Sequence, residues 1–410
     1  MIPFSPPRID QKIIDEVTDT LRSGWITTGP KTRLFEKKLT EYNGNSATLC
    51  VNSATSGLEL MLRWFGVGPG DEVIIPAYTY AATANVVVHC GARPVFVDVN
   101  LDFNISLKAI RMAITSHTKV IMPVDIGGWP CDYNRINELV REREFINAFR
   151  PKTTEQEMLG RILVLSDAAH SLGATYNLKR TGTLTDVSVF SFHAVKNLTT
   201  AEGGAIALNL PKPFDNKSVY ESLCIKALHG QNKDALAKMQ KGNWRYDIVE
   251  PGYKMNMPDI LASIGLVELE RYESETLIKR RQICEFYAAA LSLFPWSEIP
   301  MQNGSLSSGV HAASSYHLFQ LRVNGINEGQ RDKIIQRIAE KEVSVNVHFI
   351  PVPMMTYYKN HGYDIKKYPM TYELYKNEIS LPVFYDLSPD QAEKVITTVI
   401  EVIQNELSNE

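Results

Sequence analysis

The chain has 410 residues, 44% hydrophobic and 22% charged, with 24 Gly and 21 Pro, a globular composition long enough for one large or two medium domains. Its 43 basic and 46 acidic residues give a net charge of -3, which argues against a broad electrostatic footprint for nucleic acid or an acidic membrane. Cys50, Cys90, Cys131, Cys224 and Cys284 are scattered, so neither a disulfide framework nor a metal site is expected.

The start, "MIPFSPPRID", lacks a signal-peptide pattern, and no segment is apolar for the roughly 20 residues of a membrane helix; a cytoplasmic protein with reduced thiols is the expectation. Ile9, Ile13, Ile14, Val17 and Leu21 then recur at helical spacing, which predicts a core-facing helix ending near Gly24. From residue 47 to 209, "ATLCVN", "EVIIPA", "RPVFVDV", "KVIMPVD", "RILVLSD", "VSVFSFH" and "GGAIALN" alternate with helix-like segments. That alternation predicts an α/β fold with a mostly parallel seven-stranded sheet. The polar stretch 141–160 reads as a surface insertion. After about residue 255 the pattern changes to a long charged helical stretch, strands at "YHLFQLRV" and "VSVNVHF", and a terminal helix from Pro389. The expected organisation is a large domain over 1–255 and a smaller α+β domain over 256–410.

In a parallel α/β sheet, functional groups gather beyond the carboxyl ends of strands. "RILVLSDAAH" brings Asp167 to one such end and "VSVFSFHAVK" brings Lys196 to another. A lysine set between two apolar runs needs a partner or a chemical task, and a buried ion pair with Asp167 would meet the first need. The helix begun in "CVNSATSGLELML" leaves N–H groups free near Ala54, Thr55 and Ser56. Such a terminus is an anion site, although ordinary capping by Ser53 or Thr55 explains the same residues. Ser191 would add a hydroxyl to the same anion. A phosphate cradle, an acidic strand end and a lysine are together what pyridoxal phosphate requires: an anchor, a carboxylate for its ring nitrogen and an amine for its aldehyde.

"SGWITTGP", "VNSATSGLEL", "GDEVIIPAYTY", "GARPVFVDV", "SDAAHSLGA", "FSFHAVKNLTTAEGG", "GYKMNMPDILASIGLVELE" and "HLFQLRV" follow in order along nearly the whole chain. With these stretches the sequence resembles the DegT-type sugar aminotransferases, pyridoxal-phosphate enzymes of the aspartate-aminotransferase fold that aminate nucleotide-linked keto-sugars. The resemblance implies that Lys196 carries the cofactor, that Asp167 pairs with its ring nitrogen, that Tyr80 stacks on the ring and that His170 lies beside it. By themselves, Tyr80 reads as a core tyrosine and His170 as a structural histidine. Asn256, in "GYKMNMPD", matches an asparagine that reaches the phosphate of the neighbouring subunit, which implies a homodimer with shared sites; locally, "NMPD" is also a helix start.

"SFHAxKxxTxxEGG", here with His193 and Glu202, is similar to the branch acting on UDP-4-keto-pentoses and 4-keto-hexoses, while relatives acting on 3-keto groups more often show "SFYPxKxLGxxGDGG". The resemblance therefore implies ping-pong transamination of a nucleotide-linked 4-keto sugar, with glutamate as donor and a product destined for cell-surface polysaccharide or lipopolysaccharide. A 3-keto substrate and a non-catalytic pyridoxal-phosphate-binding regulator are the alternatives; sugar dehydratases of the family carry histidine in place of the lysine. Two features depart from that branch: the insertion at 143–160, and the loop "HGQNKDALAKMQKGNWRYDIVEP". In the loop, Trp244, Arg245 and Tyr246 would stack on a base or pair with a diphosphate, or simply pack.

Overall fold

A computed structural model describes residues 1–233 and 245–408. All seven predicted strands join one sheet: β1 (Ala47–Val51), β2 (Glu72–Pro76), β3 (Arg93–Val97), β4 (Thr118–Ile121), β5 (Leu163–Asp167), β8 (Val187–Ser191) and β9 (Gly204–Leu208). The short pair β6 (Thr175–Tyr176) and β7 (Lys179–Arg180) lies outside it. The order is β1-β9-β8-β5-β4-β2-β3. Neighbours from β8 to β3 run parallel, whereas β9 is antiparallel to both β1 and β8. Because β9 runs backwards, its first residue Gly204 stands level with the last residues of its neighbours, Val51 and Ser191. Helices cover both faces, which explains why these strands read as unbroken apolar runs.

Among the helices are α1 (Gln11–Ser23), α2 (Pro30–Asn43), α3 (Ala54–Trp64) and α4 (Ala81–His89). Helix α1 ends as expected at Gly24, which takes a left-handed φ of 73°. Its apolar stripe, however, is not core-facing throughout. Ile13 is buried, Val17 is partly covered, and Ile9, Ile14 and Leu21 are exposed; α1 meets the large domain mainly through helix Asp259–Glu270, so one edge of the stripe faces outward.

The second core belongs to β10 (Ser297–Glu298), β13 (Phe319–Val323) and β14 (Glu378–Leu381), an antiparallel sheet covered by helices including Leu277–Leu291 and Pro389–Ser408. Between domains, β11 (Asn303–Ser305) and β12 (His311–Ala313) extend the β6–β7 pair into a four-stranded sheet. The terminal helix is as predicted, but "VSVNVHF" forms no strand. Residues 343–349 make lone bridges, Ile2↔Val343 and Asn346↔Ser380, because the next amide, His348 N–H, is taken by the Glu378 side chain rather than a ladder partner. The expected domain change at 255/256 precedes helix Asp259–Glu270, whose Ala262, Leu266 and Leu269 pack with Phe35, Leu39, Phe190 and Phe192. By packing, that helix goes with the large sheet.

The stretch 141–160 forms helices Arg143–Ala148 and Thr154–Leu159. It is tied down by Gln156 Nε2 to Phe65 O at 2.8 Å and Lys152 Nζ to Asp71 Oδ1 at 2.7 Å. Asp71 immediately precedes β2, so the insertion sits at the amino ends of the strands. At that same edge Arg161 grips Asp186 with two bonds of 2.8 and 2.7 Å, and Val164 N–H donates to Asp186 at 3.0 Å. All three groups are buried. Removing one partner of such a pair leaves an uncompensated charge, so Asp186→Ala should lose about 3–5 kcal/mol, seen as an earlier urea midpoint; a loss under about 1 kcal/mol would contradict this account.

Candidate active site

The row Val51–Gly204–Ser191 brings three chain segments together at the carboxyl edge of the sheet. Beyond Val51 the chain turns at Ser53, whose Oγ caps α3 by accepting Ser56 N–H at 3.0 Å. The first-turn amides of Ala54 and Thr55 have no partner within the helix. Beyond Ser191 a tight loop, closed by Lys196 N–H to His193 O at 2.9 Å and Thr200 N–H to Phe192 O at 2.9 Å, sets Lys196 before the chain re-enters as β9. By local sequence, Glu202, Gly203 and Gly204 read as a tight turn that lets the chain enter the following strand. Instead Ala201 takes the left-handed φ of 67°, and Gly203 is required for space, since a Cβ there would lie 2.2 Å from Thr200 Oγ1 and 2.7 Å from Met257 Cε.

These segments open onto one cavity of about 500 Å³, lined by Ala54, Thr55, Tyr80, Asp167, His170, Ser191, His193 and Lys196 among others. Every expected site residue is there except Asn256. That residue donates from Nδ2 to Thr28 Oγ1 at 2.6 Å and leaves Oδ1 buried without a partner. Tyr80, the N-cap of α4, is 63% exposed rather than a core tyrosine, and its ring lies 5.6 Å from that of Phe349. At the rim, His193 Nε2 lies 3.6 Å from Glu202 Oε1. Trp244 and the middle of its loop lie outside the described residues; Arg245 and Tyr246 are exposed and do not line this cavity.

Asp167, the last residue of β5, accepts from Thr83 Oγ1 at 2.8 Å and Ala169 N–H at 3.3 Å. Burial raises its pKa against those bonds and the nearby Lys196. Burial also lowers Lys196 to about 8, with the Asp167 carboxylate opposing. His170 is held well below the ordinary histidine range by burial, then by Lys196 and His348. Its Nδ1 accepts Gly127 N–H at 3.3 Å, so the proton of the neutral ring is on Nε2.

Sequence reasoning missed His317, His348 and Phe349, which also line the cavity. His317 packs tilted against His170, with ring centres 4.4 Å apart, and pairs Nδ1 with Asn197 Oδ1 at 2.9 Å; His348 meets Phe349 edge-on at 5.0 Å. "YHLFQLRV" and "VSVNVHF" contained both histidines, but a strand reading gave no reason to aim them at a lysine more than a hundred positions earlier. Phe4 and Ser5 reach the same cavity from the amino terminus, with Ser5 Oγ donating to Val195 O at 3.2 Å.

The profile of the DegT/DnrJ/EryC1/StrS aminotransferase family matches residues 7–147 and 155–400. A Streptococcus pneumoniae protein described as a candidate sugar aminotransferase, solved in its PMP form, is 44% identical with a TM-score of 0.94, covering 99% of this chain and 100% of that one; its PLP form gives 43% and 0.92 over 99% of each chain. PseC of Helicobacter pylori, an aminotransferase involved in the biosynthesis of pseudaminic acid, is 25% identical with a TM-score of 0.84 over 98% of this chain and 99% of that one. Among curated relatives, the spore coat polysaccharide biosynthesis protein SpsC of Bacillus subtilis is 34% identical over 98% of this chain and 97% of its own.

The depressed pKa of about 8 at Lys196 predicts that, in cofactor-free protein, reductive methylation at this residue rises with a midpoint near pH 8, far below ordinary lysines. Asp167→Asn removes the negative charge that favours the ammonium, so the midpoint should fall further. Peptide mass mapping across pH reads both; a midpoint near pH 10, or an upward move in the variant, would overturn the electrostatic account.

Proposed function

The chain belongs to the DegT/DnrJ/EryC1/StrS aminotransferase family, and from that premise we propose that it transfers an amino group from glutamate to the keto carbon of a nucleotide-linked 4-keto sugar. It is a pyridoxal-phosphate-dependent enzyme, and its substrates are of the keto-sugar and amino-donor classes. The observation that carries the transamination itself is the convergence of Lys196, Asp167 and the start of α3 on one cavity.

The residues present fit the cofactor. The free amides of Ala54 and Thr55, with the Ser191 hydroxyl, make an anion cradle at a helix N-terminus. Asp167 is a buried carboxylate whose raised pKa a cationic partner would reverse, and Tyr80 offers a ring at the mouth. When bound, the cofactor supplies an electron sink for the carbon beside the transferred nitrogen. Asp167 holds a proton at the cofactor's ring nitrogen. Lys196 would hold the resting cofactor through Nζ and, once freed by the amino donor, would carry a proton between the carbon bearing the nitrogen and the cofactor's C4′. A pKa of about 8 places Nζ where both forms are populated near neutrality. His170, uncharged, presents Nε2–H as a donor without adding charge beside the lysine.

Assignment of the 4-keto class is supported by His193 and Glu202, which bracket Lys196 in the chain and pair across the cavity rim. Lys196 reaches one face of one carbon, so rim groups that seat the sugar decide which carbon that is. Purified protein with glutamate and a panel of UDP-, GDP- and dTDP-linked keto-sugars should convert a 4-keto compound to its 4-amino product at least ~100-fold faster than the 3-keto isomer, about 2.7 kcal/mol in the barrier. Comparable rates, or a 3-keto preference on mass analysis, would refute the regiochemistry and leave the aminotransferase assignment standing.

A homodimer with shared sites is supported by Asn256, which lies outside its own subunit's cavity with Oδ1 unpartnered, and by the exposed apolar side chains of Ile14, Leu21 and Leu34 on α1 and α2. Lys196→Ala and Asn256→Ala subunits, each impaired alone, should regain activity when mixed, since one site of each mixed dimer holds both groups. Verified mixed dimers with no recovery would show that Asn256 serves its own subunit.

A further inference from the structure

Strand β14 carries a fully buried carboxylate that the chemistry above does not use. Glu378 Oε2 accepts His348 N–H at 2.9 Å, its Oε1 accepts the Ser380 hydroxyl at 2.5 Å, and Ser380 Oγ lies 2.9 Å from His348 Nδ1. The His348 carbonyl is fixed as well, accepting from Tyr78 OH and Gln320 Nε2 at 2.7 Å each. The backbone of His348 and one edge of its ring are thus clamped. The other edge, Nε2, makes no hydrogen bond among the described residues, and the ring lines the cavity that holds Lys196.

A serine hydroxyl has one proton to donate, so the order of bonds along Glu378–Ser380–His348 depends on what Glu378 carries. With Glu378 ionised, Ser380 donates to the carboxylate and accepts from Nδ1–H, leaving Nε2 a bare acceptor. With Glu378 protonated on Oε1, the acid donates to Ser380, Ser380 donates to Nδ1, and the ring proton is on Nε2. We propose that Glu378 and Ser380 are positioning residues that set the tautomer of His348, and thereby decide whether Nε2 offers the sugar substrate a hydrogen-bond donor or an acceptor. The substrate class in this statement rests on the function proposed above; the relay itself does not.

Passing between the two states moves protons without leaving any group short. The Glu378 proton shifts to Ser380, the Ser380 proton shifts to Nδ1, and the proton on Nε2 leaves through the cavity. Burial raises Glu378 to about 8, against the bonds from Ser380 and the His348 amide and the charge of Arg331. Burial, with Lys196 nearby, lowers His348 to about 3, so the ring stays neutral on both sides of the transition. The charged and titratable groups facing the unit are Arg331, whose Nη1 lies 3.4 Å from the Glu378 carbonyl, Arg322 opposite Glu378 in the β13 ladder, and Tyr78. On the cavity side they are Lys196, His170 and His317.

In cofactor-loaded protein labelled with 15N-histidine, His348 should carry its proton on Nε2 below about pH 8 and on Nδ1 above it. Glu378→Gln, whose amide donates to Ser380 as the protonated acid does, should keep the Nε2–H form throughout. Ser380→Ala breaks the relay by a smaller change and should also remove the pH response, which covers the case in which the first variant misfolds. In kinetics, KM for the keto-sugar should change about tenfold between about pH 7 and pH 9 in the wild type but not in Glu378→Gln, the worth of one well-made or mismatched hydrogen bond. The kcat profile, governed by Lys196, should be common to both. A His348 tautomer that does not respond to pH, or variants that follow the wild type, would overturn the proposal. A tautomer switch in protein that turns over no nucleotide-linked keto-sugar would support the relay and count against the substrate.

Discussion

The close approach of β9 to the start of α3 is the constraint on which the site depends. A β-carbon on Gly204 would stand 2.5 Å from Ala54 N and 2.8 Å from Phe190 O, so the strand can pass there only without a side chain. The same economy recurs one turn into the helix, where a β-carbon on Gly57 would lie 2.8 Å from Val189 Cγ1. These contacts press α3 onto the sheet with its amide end beside Ser191. The reversed direction of β9 then turns the β8–β9 connection into a hairpin at the carboxyl edge. A parallel β9 would have required a crossover to the far end of the sheet, and Lys196 would not stand between the helix terminus and Asp167.

Burial sets the charges at this edge. His170, His317 and His348 all have their pKa lowered by burial, so three imidazoles stand around Lys196 without competing with it for Asp167. Their ring orientations are set by bonds to Gly127, Asn197 and Ser380 respectively. The turn bearing His170 is braced from behind by Asp125, which accepts from Ser171 Oγ and Tyr133 OH at 2.6 Å each and from Cys131 N–H at 2.9 Å. Neutral, oriented donors and acceptors cost little to keep in a low-dielectric pocket, whereas extra cations would depress the lysine further and weaken its hold on a proton.

What could be read from the sequence follows from the same physics. The seven strands were legible because a sheet covered on both faces writes itself as apolar runs, and Asp167 and Lys196 were legible because they interrupt or end such runs. The glycines beside Lys196 were visible, but their reason was not: local sequence suggests a turn, while the requirement is clearance from Ala54, Thr200 and Met257. His317 and His348 carry no local mark, since their meaning comes from the folding of the second domain against the first. The α1 stripe misled because helical periodicity records an apolar face without saying whether the chain's own core covers it.

The insertion and the cavity stand at opposite ends of the sheet, which bears on where substrate choice is made. The family profile skips residues 148–154, yet Lys152 and Gln156 bind Asp71 and Phe65 at the amino edge, the full length of the strands away from Lys196. Novel sequence there packs at the amino edge and does not line this cavity. Among the described residues, the cavity is lined by His193 and Glu202 from the lysine loop, Phe4 and Ser5 from the amino terminus, and Asn346 to Phe349 from the second domain. Three of these contributions come from chain segments with few ladder bonds of their own. They can therefore vary in sequence and reshape the rim while the sheet, the glycine contact and the lysine hairpin stay as they are.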